Sequence, residues 1–333
     1  MKIANIIHSQ DADGWSSGSI VKKWFNTGSA NNQININNDP YADILFNKNK
    51  QSSPVVPPNS TLTIIPYNRG AVPNLDEYDM VIMCDIAFQA DDMNRLYKLL
   101  GNNFIWIDHH ISAIKDMESI GLNDKLNGIR DIKFAACELT WKFFFPGVNI
   151  PVPIYMLGRY DCFGHKDLPI EQQDAIMAFQ FYARGEASST ETIPYWWLDS
   201  YTVGNGKAGD PLTPAVKDGT VIKRYLDHEA LEIYNTRKFE LEIGGYKFGV
   251  VNEMRFNPVN YGIDYHNDGD GYEGFACFHY EDGMWCWSLY NEDGKVDCSQ
   301  VVRSIKSNAG GHAGAAGMKL TNDEMFELLS ERI

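Results

Sequence analysis

Short apolar runs that alternate with segments of helical periodicity constrain the fold of this chain more than any other feature. The runs read as buried strands, because they are apolar on both faces and are bounded by Pro, Asn or Asp. Helical patterns lie between and after them. This alternation predicts an α/β fold with a mainly parallel sheet covered by helices on both faces. The predicted strands are KIANIIH (2–8), TLTIIPY (61–67), DMVIMCDIAF (79–88) and NNFIWIDHH (102–110).

Acidic and imidazole side chains follow three of these strands at the point where each strand ends. Ligands bind beyond the carboxyl ends of parallel strands, so we expect these groups to meet at one edge of the sheet. An isolated Asp-x-Asp is usually a helix cap or a turn, and a lone Asp can form an Asx turn. Recurrence at successive strand ends favours a site for manganese, iron, zinc or magnesium instead. The residues are His8, Asp11 and Asp13 after the first strand, Asp85 after the third, and Asp108, His109 and His110 after the fourth.

Two stretches further along the chain belong with these groups. LGRYDCFGH (157–165) places Asp161 at the end of a helical segment, and NAGGHAGAAGMKL (308–320) places His312 among small residues. Small residues let a backbone approach a ligand closely and present N–H groups to an anion. The alternative for the second stretch is a tight strand-to-helix or helix-packing turn with an incidental His.

The composition narrows the class of protein. No apolar run approaches the roughly 18–20 residues that span a membrane, and MKIANIIHSQD (1–11) lacks the apolar run of a signal peptide. Six scattered cysteines without a C-x-x-C pair favour free thiols in a reducing compartment, so a cytoplasmic location is predicted. The net charge of −15 argues against binding of long duplex nucleic acid. It is compatible with a short anionic substrate at a metal centre.

The 333 residues are enough for two domains. We predict a first domain at 1–185, a loop or insertion with a connecting helix at 186–238, and a smaller α/β domain at 239–333. Residues 186–214 are rich in Gly, Ser, Thr and Pro. Their aromatic side chains either stack a base, as in single-strand binders, or pack against the core. These aromatics are Tyr195, Trp196, Trp197 and Tyr201.

In this order, the motifs resemble those of the DHH phosphoesterase superfamily: D-x-D, a later Asp, D-H-H, another Asp and a C-terminal G-G-H run. The resemblance covers nearly the whole chain. It implies a DHH domain with a five-stranded-type, mainly parallel sheet flanked by helices, followed by a substrate-binding domain similar to DHHA1. Family II pyrophosphatases share the first domain but end in a different second domain, and the G-G-H run disfavours them.

The resemblance also implies a binuclear metal centre, usually manganese, with Mg²⁺ or Co²⁺ as substitutes. The implied ligands are His8 and Asp11 for one ion, Asp13, His109 and Asp161 for the other, and Asp85 as the bridge. Asp108 would orient an imidazole from outside the ligand set, and His110 would face the substrate phosphate. Gly310, Gly311 and His312 would grip a phosphate from the second domain.

The chain departs from the pattern of many relatives in two places. In HSQDAD (8–13), His8 and Asp11 are separated by one residue fewer than in the common H-x-x-x-D-x-D motif. In WSLYNEDG (287–294), Tyr290 stands where relatives often carry a substrate-binding Arg. We therefore assign that contact to Arg303, for which the alternative is an exposed Arg on an ordinary helix.

The function predicted from these residues is a metal-dependent phosphodiesterase, a hydrolase that uses a water activated by two metal ions. Its expected substrate is a short single-stranded oligonucleotide or dinucleotide, as in nanoRNases. The alternatives are a cyclic-dinucleotide phosphodiesterase, a 3′-phosphoadenosine 5′-phosphate phosphatase, and an inactivated DHH-type binding scaffold. Four carboxylates held together argue against the scaffold. The sequence leaves the oligomeric state open, with a homodimer among the alternatives.

Overall fold

The computed structural model describes residues 1–27, 54–68, 70–199 and 211–330. The chain divides into two compact units, Met1–Val221 and Ile222–Ile333. Among the described residues, no helix is both long and apolar enough to cross a membrane. The domain bounds given above from the sequence, 1–185, 186–238 and 239–333, remain a prediction.

The first unit is built on a parallel sheet, as the apolar runs predict. The spatial order is β2-β1-β3-β4, and every neighbouring pair is parallel. The described residues form four strands here, and parallel bridges from Asn127 and Arg130 run beside β4 where a fifth strand would lie. β2 and β3 lie on opposite sides of β1, so the strand order reverses at this point, and the carboxyl edge of such a reversal is where parallel sheets bind ligands. The strands are β1 (Lys2–His8), β2 (Thr61–Tyr67), β3 (Met80–Cys84) and β4 (Phe104–Ile107).

Helices cover both faces of this sheet, so alternate residues of β1 enter different cores. Ile3 and Ile7 are buried with α1, α4, α5 and α6, whereas Ala4 and Ile6 are buried with α2 and α3. Burial on both faces explains why the strands are apolar throughout. The helices are α1 (Ala12–Thr27), α2 (Ala90–Leu100), α3 (Ile111–Ser119), α4 (Ala136–Phe144), α5 (Val152–Asp161) and α6 (Ile170–Glu186).

The segment that ends at Asp199 packs against the core of the first unit. Trp197 is fully buried, and Trp196 packs against the same core. Tyr195 is 78% exposed. Both tryptophans therefore pack against the core, which was the alternative to stacking a base. Tyr201 lies outside the described residues.

The second unit is the smaller α/β unit that the sequence predicts. Its sheet has the order β5-β6-β7-β8-β10-β9, with β6 and β7 parallel and the other neighbours antiparallel. The division between the units falls within the long helix α7. The elements are α7 (Leu212–Arg237), β5 (Phe239–Ile243), β6 (Tyr246–Val251), β7 (Gly274–Glu281), β8 (Met284–Tyr290), α8 (Cys298–Ile305), β9 (Gly310–Gly311), β10 (Ala315–Leu320) and α9 (Asn322–Ser330).

The thiols are all free. Cys84, Cys137, Cys277 and Cys298 are buried, and Cys162 and Cys286 are partly buried. This agrees with the prediction of unpaired thiols.

Candidate metal centre

The start of α1 lies directly against the end of β1. Oδ1 of Asp11 accepts the N–H of Gly14 at 3.0 Å, so Asp11 caps the helix. Its other oxygen, Oδ2, lies 2.8 Å from Nδ1 of His8. A Cβ on Gly14 would lie 2.2 Å from the carbonyl oxygen of His8, so only glycine fits at this position. The same carboxylate therefore caps α1 and faces His8.

Asp13 is held by the N-terminus of α4. Its Oδ2 accepts the N–H of Ala136 at 2.9 Å, and its Oδ1 accepts the N–H of Cys137 at 2.6 Å. The first N–H groups of a helix have no partner within the helix and favour a negative charge. These contacts fix the buried carboxylate with Oδ2 3.5 Å from Nε2 of His109.

Asp85 lies between two groups of side chains. Its Oδ2 is 3.5 Å from Nδ1 of His8, and its Oδ1 is 3.2 Å from Nε2 of His109. Its backbone adopts a left-handed φ of 64°, directly after β3. Left-handed conformations of residues other than glycine are concentrated at functional sites. Each oxygen of Asp85 thus faces a different imidazole.

His109 lies close to three of the carboxylates. Its Nε2 lies within 3.2–3.5 Å of oxygens from Asp13, Asp85 and Asp161, and the Asp161 distance is 3.3 Å. Asp161 is the last residue of α5. Ligand atoms about 2.1 Å from one ion, at right angles, lie roughly 3 Å apart. The observed spacings are close to that value.

Asp108 holds the two imidazoles that follow it. Its Oδ1 accepts the N–H groups of His109 at 2.7 Å and His110 at 3.1 Å, and lies 2.7 Å from Nδ1 of His110. Its Oδ2 accepts the indole N–H of Trp106 at 3.2 Å. Asp108 is fully buried, whereas the side chain of His110 is 29% exposed. Asp108 therefore sets the ring orientation of the more accessible histidine.

Burial and the neighbouring charges shift the pKa values of the carboxylates in this site. Burial and the neighbouring carboxylates of Asp85 and Asp161 raise the pKa of Asp13 well above its usual range. Burial, together with the carboxylates of Asp11 and Asp85, raises the pKa of Asp161 to about 6. Burial opposes ionisation of Asp85 too, but His109 and His8 outweigh it and lower the pKa of Asp85. A divalent cation would relieve the repulsion between these carboxylates.

Three groups of donor atoms include Asp85: one with Asp108 and His110, and two that consist of predicted ligands. The atoms of His8, Asp11 and Asp85 lie within 4.8 Å of one another, and so do those of Asp13, Asp85 and His109. Carboxylate oxygens and imidazole nitrogens, without sulfur, suit Mn²⁺ or Mg²⁺ and disfavour a structural zinc. The residues present therefore fit divalent cations.

The remaining predicted residues lie in the second unit. Gly310 and Gly311 form β9, and His312 begins the turn to β10, so the turn joins two antiparallel strands. A Cβ on Gly311 would lie 2.6 Å from the carbonyl oxygen of Ala315. Arg303 is exposed in the last turn of α8, and its Nε donates to the carbonyl of Ala309 at 3.2 Å. Arg303 thus lies at the base of the G-G-H turn.

Three residues that adjoin the proposed ligands or their hydrogen-bond partners were not predicted from the sequence. They are Gly14, the indole donor Trp106, and Glu138, a fully buried carboxylate in the first turn of α4. An A-x-x-E sequence at the start of a helix is the signal that points to Glu138, because a Glu at the third helical position binds the backbone N–H of the cap.

Comparisons with known proteins find similarity among solved structures. No family model matches the chain, and no curated protein matches it. Among solved structures, the DHH domain of a protein described as a member of a family of ribosomal proteins matches with 15% identity and a TM-score of 0.52, covering 99% of this chain and 85% of that one. A pGpG-specific phosphodiesterase, PggH from Vibrio cholerae, matches with 12% identity and a TM-score of 0.42, covering 99% and 97%. RecJ from Thermus thermophilus in complex with Mn²⁺ matches with 12% identity and a TM-score of 0.44, covering 99% and 51%.

The first of these likenesses concerns the arrangement of the backbone. It agrees with the parallel sheet of the first unit and the second sheet that follows it. The chain therefore shares the fold of this DHH-domain structure.

Proposed function

We propose that this protein is a metal-dependent phosphodiesterase that hydrolyses short single-stranded oligonucleotides. The observation that carries the proposal is the position of Asp85. Its two oxygens face two separate groups of ligand-type atoms, 3.5 Å from His8 and 3.2 Å from His109. A carboxylate shared in this way is what a two-metal site requires, and two-metal sites are widely used for phosphoester cleavage.

The proposed ligands are His8, Asp11 and Asp85 for one ion and Asp13, Asp85, His109 and Asp161 for the other. Two bound divalent cations, Mn²⁺ in this proposal, would supply a water activated at neutral pH and neutralise the phosphoryl oxygens. Four carboxylates roughly balance four positive charges, which leaves the site able to accept an anionic substrate.

The chain's own side chains then have separate tasks. His110 is accessible and faces the substrate phosphate in this proposal, while Asp108 fixes its ring. Thiols near the site do not act as nucleophiles, because burial raises the pKa of Cys84 to about 12 and that of Cys137 well above its usual range. Arg303 and the turn at Gly310, Gly311 and His312 are the proposed contacts for a substrate phosphate.

The test combines metal binding with a substrate panel. The purified protein should bind Mn²⁺ and hydrolyse bis-p-nitrophenyl phosphate. The panel consists of 5′-pApA, a longer single strand, a cyclic dinucleotide and 3′-phosphoadenosine 5′-phosphate. Preferred cleavage of 5′-pApA supports the proposal, and preference for either of the last two would replace it with that activity. Failure to bind Mn²⁺ and to cleave any phosphoester would indicate a binding scaffold.

Replacing His110 should separate catalysis from metal binding. We expect His110→Ala to lower kcat by roughly 100-fold, the low end for loss of a group that stabilises charge on the reacting oxygens. The Kd for Mn²⁺ should change little, because His110 lies outside both proposed ligand sets. Calorimetric titration with Mn²⁺ and steady-state kinetics on 5′-pApA measure the two effects. An unchanged kcat would remove His110 from the mechanism.

Replacing Arg303 tests the substrate contact in the second unit. Arg303→Ala should raise KM for 5′-pApA by roughly tenfold, the effect of losing about 1.4 kcal/mol of a charge-assisted contact. Hydrolysis of bis-p-nitrophenyl phosphate, which lacks a second phosphate, should change less. Lys319→Ala, an exposed charge on β10, serves as the control. Equal effects on both substrates would contradict the assignment.

A further inference from the structure

A buried ion pair beside the metal centre joins α4, whose N-terminus binds Asp13, to α5, which carries Asp161. Glu138 lies in the first turn of α4, and Arg159 lies in the last turn of α5. The Glu138 side chain is fully buried, and that of Arg159 is 12% exposed. Nε of Arg159 donates to Oε1 of Glu138 at 3.1 Å, and Nη2 donates to Oε2. The contact is therefore bidentate, the most directional form of an ion pair.

On the α4 side, Glu138 orders the turn that holds Asp13. Its Oε2 accepts the N–H of Ala135 at 3.1 Å. The next two N–H groups along the chain, those of Ala136 and Cys137, are the donors to Asp13 at 2.9 and 2.6 Å. Three consecutive N–H groups are thus bound by two carboxylates. If the Glu138 carboxylate moves, the donors to Asp13 lose their alignment.

On the α5 side, the same carboxylate packs on the helix backbone just before Asp161. A Cβ on Gly158 would lie 2.5 Å from Cγ of Glu138, so the absence of a side chain at 158 makes room for it. Arg159 is two residues before Asp161, and its Nη2 also donates to the carbonyl of Lys133 at 3.0 Å. Lys133 belongs to the segment that leads into α4. The pair therefore fixes the end of α5 against the start of α4.

We propose that Glu138 and Arg159 are positioning residues that set the distance between Asp13 and Asp161. These two carboxylates come from different helices, and both must face Nε2 of His109, at 3.5 and 3.3 Å. Neither Glu138 nor Arg159 is a proposed ligand or substrate contact. The inference rests on the proposed metal centre and adds the element that keeps its second ligand set together.

The test measures the Kd for Mn²⁺ on metal-free protein by calorimetric titration. Glu138→Gln should weaken Mn²⁺ binding by roughly 10–100-fold, the usual effect of losing a partner outside the ligand set. The amide keeps the shape of the carboxylate, but its N–H₂ group faces a donor of the guanidinium in either orientation, and in one orientation it faces the N–H of Ala135 as well. Gly158→Ala reaches the same contact from the other helix and should also weaken Mn²⁺ binding, although alanine favours a helix more than glycine does.

Two further variants separate positioning from stability. The double variant Glu138→Leu with Arg159→Met replaces the pair by apolar side chains, which often leaves stability unchanged. Its affinity for Mn²⁺ should nevertheless be lower than that of the wild type, because the ion pair that links α4 to α5 is lost. The control is Leu139→Ala, which removes a buried side chain from α4. This variant should have a lower Tm but the same Kd for Mn²⁺ as the wild type.

The outcomes are distinct. Wild-type affinity in both Glu138→Gln and the double variant would overturn the inference. So would equal losses in Leu139→Ala and Glu138→Gln, since these would indicate a general effect of instability. If the wild type itself does not bind Mn²⁺, the proposed function fails, and the positioning role fails with it.

Discussion

Asp85→Asn should abolish metal binding at both proposed ion positions while the protein stays folded. The side chain supplies one oxygen to each group, and an amide cannot provide two anionic oxygens. Asparagine adopts the left-handed conformation found at Asp85 about as readily as aspartate does, so the backbone after β3 can remain in place. We expect the affinity for Mn²⁺ to fall by more than roughly 100-fold, beyond the range for partners outside the ligand set.

Calorimetric titration with Mn²⁺ and circular dichroism measure the two parts of this expectation. Asp91→Asn, an exposed acid in the first turn of α2, is the matched control and should bind Mn²⁺ as the wild type does. A folded Asp85→Asn protein with unchanged stoichiometry and affinity would rule out a shared carboxylate.

Gly14→Ala should destabilise the first unit and the metal centre together. The added methyl would overlap the carbonyl oxygen of His8, at 2.2 Å, and backbone atoms cannot rotate away as a flexible side chain can. Overpacking of this kind costs about 2 kcal/mol. For a unit of this size we expect a fall in Tm of roughly 4–8 °C. Mn²⁺ binding should weaken as well, because Asp11 and Asp13 flank the displaced turn.

Gly185→Ala provides the control, since it is the same substitution in another helix. Gly185 lies in α6, is exposed, and has nothing within 4 Å of the position of a Cβ. Alanine there should raise stability by up to about 1 kcal/mol through helix propensity. Thermal unfolding of both variants gives the two Tm values to be compared. A Gly14→Ala protein as stable as Gly185→Ala would mean that α1 does not begin as tightly against β1 as described.

The strands of the first sheet and the grouping of the ligand-type residues could be predicted from the sequence. The first two strands were predicted with the bounds that the structure has, because apolar runs ended by polar residues define them locally. The ligand-type residues could be grouped because parallel strands bring their carboxyl ends to one edge. Strand β10 was not predicted as a strand, because AAGMKL is rich in small residues and its pairing with β8 is decided by tertiary contacts.

Contacts between side chains from distant helices were beyond sequence reasoning. Nothing local in the sequence tells that Glu138 meets Arg159, or that Asp13 meets the N-terminus of α4, because both contacts depend on how the helices pack. The shorter spacing between His8 and Asp11 also has its explanation in the structure. Asp11 caps a helix that starts immediately after the turn, and this brings its second oxygen to 2.8 Å from Nδ1 of His8.

The central claim is that the ends of β1, β3 and β4, together with α1 and α5, hold two divalent cations. Anomalous diffraction at the manganese edge, from crystals grown with Mn²⁺, tests it most directly. We predict two peaks that share Asp85, one beside His8 and Asp11 and the other beside Asp13, His109 and Asp161. Their absence from this edge of the sheet, in protein that diffracts well, would contradict the account.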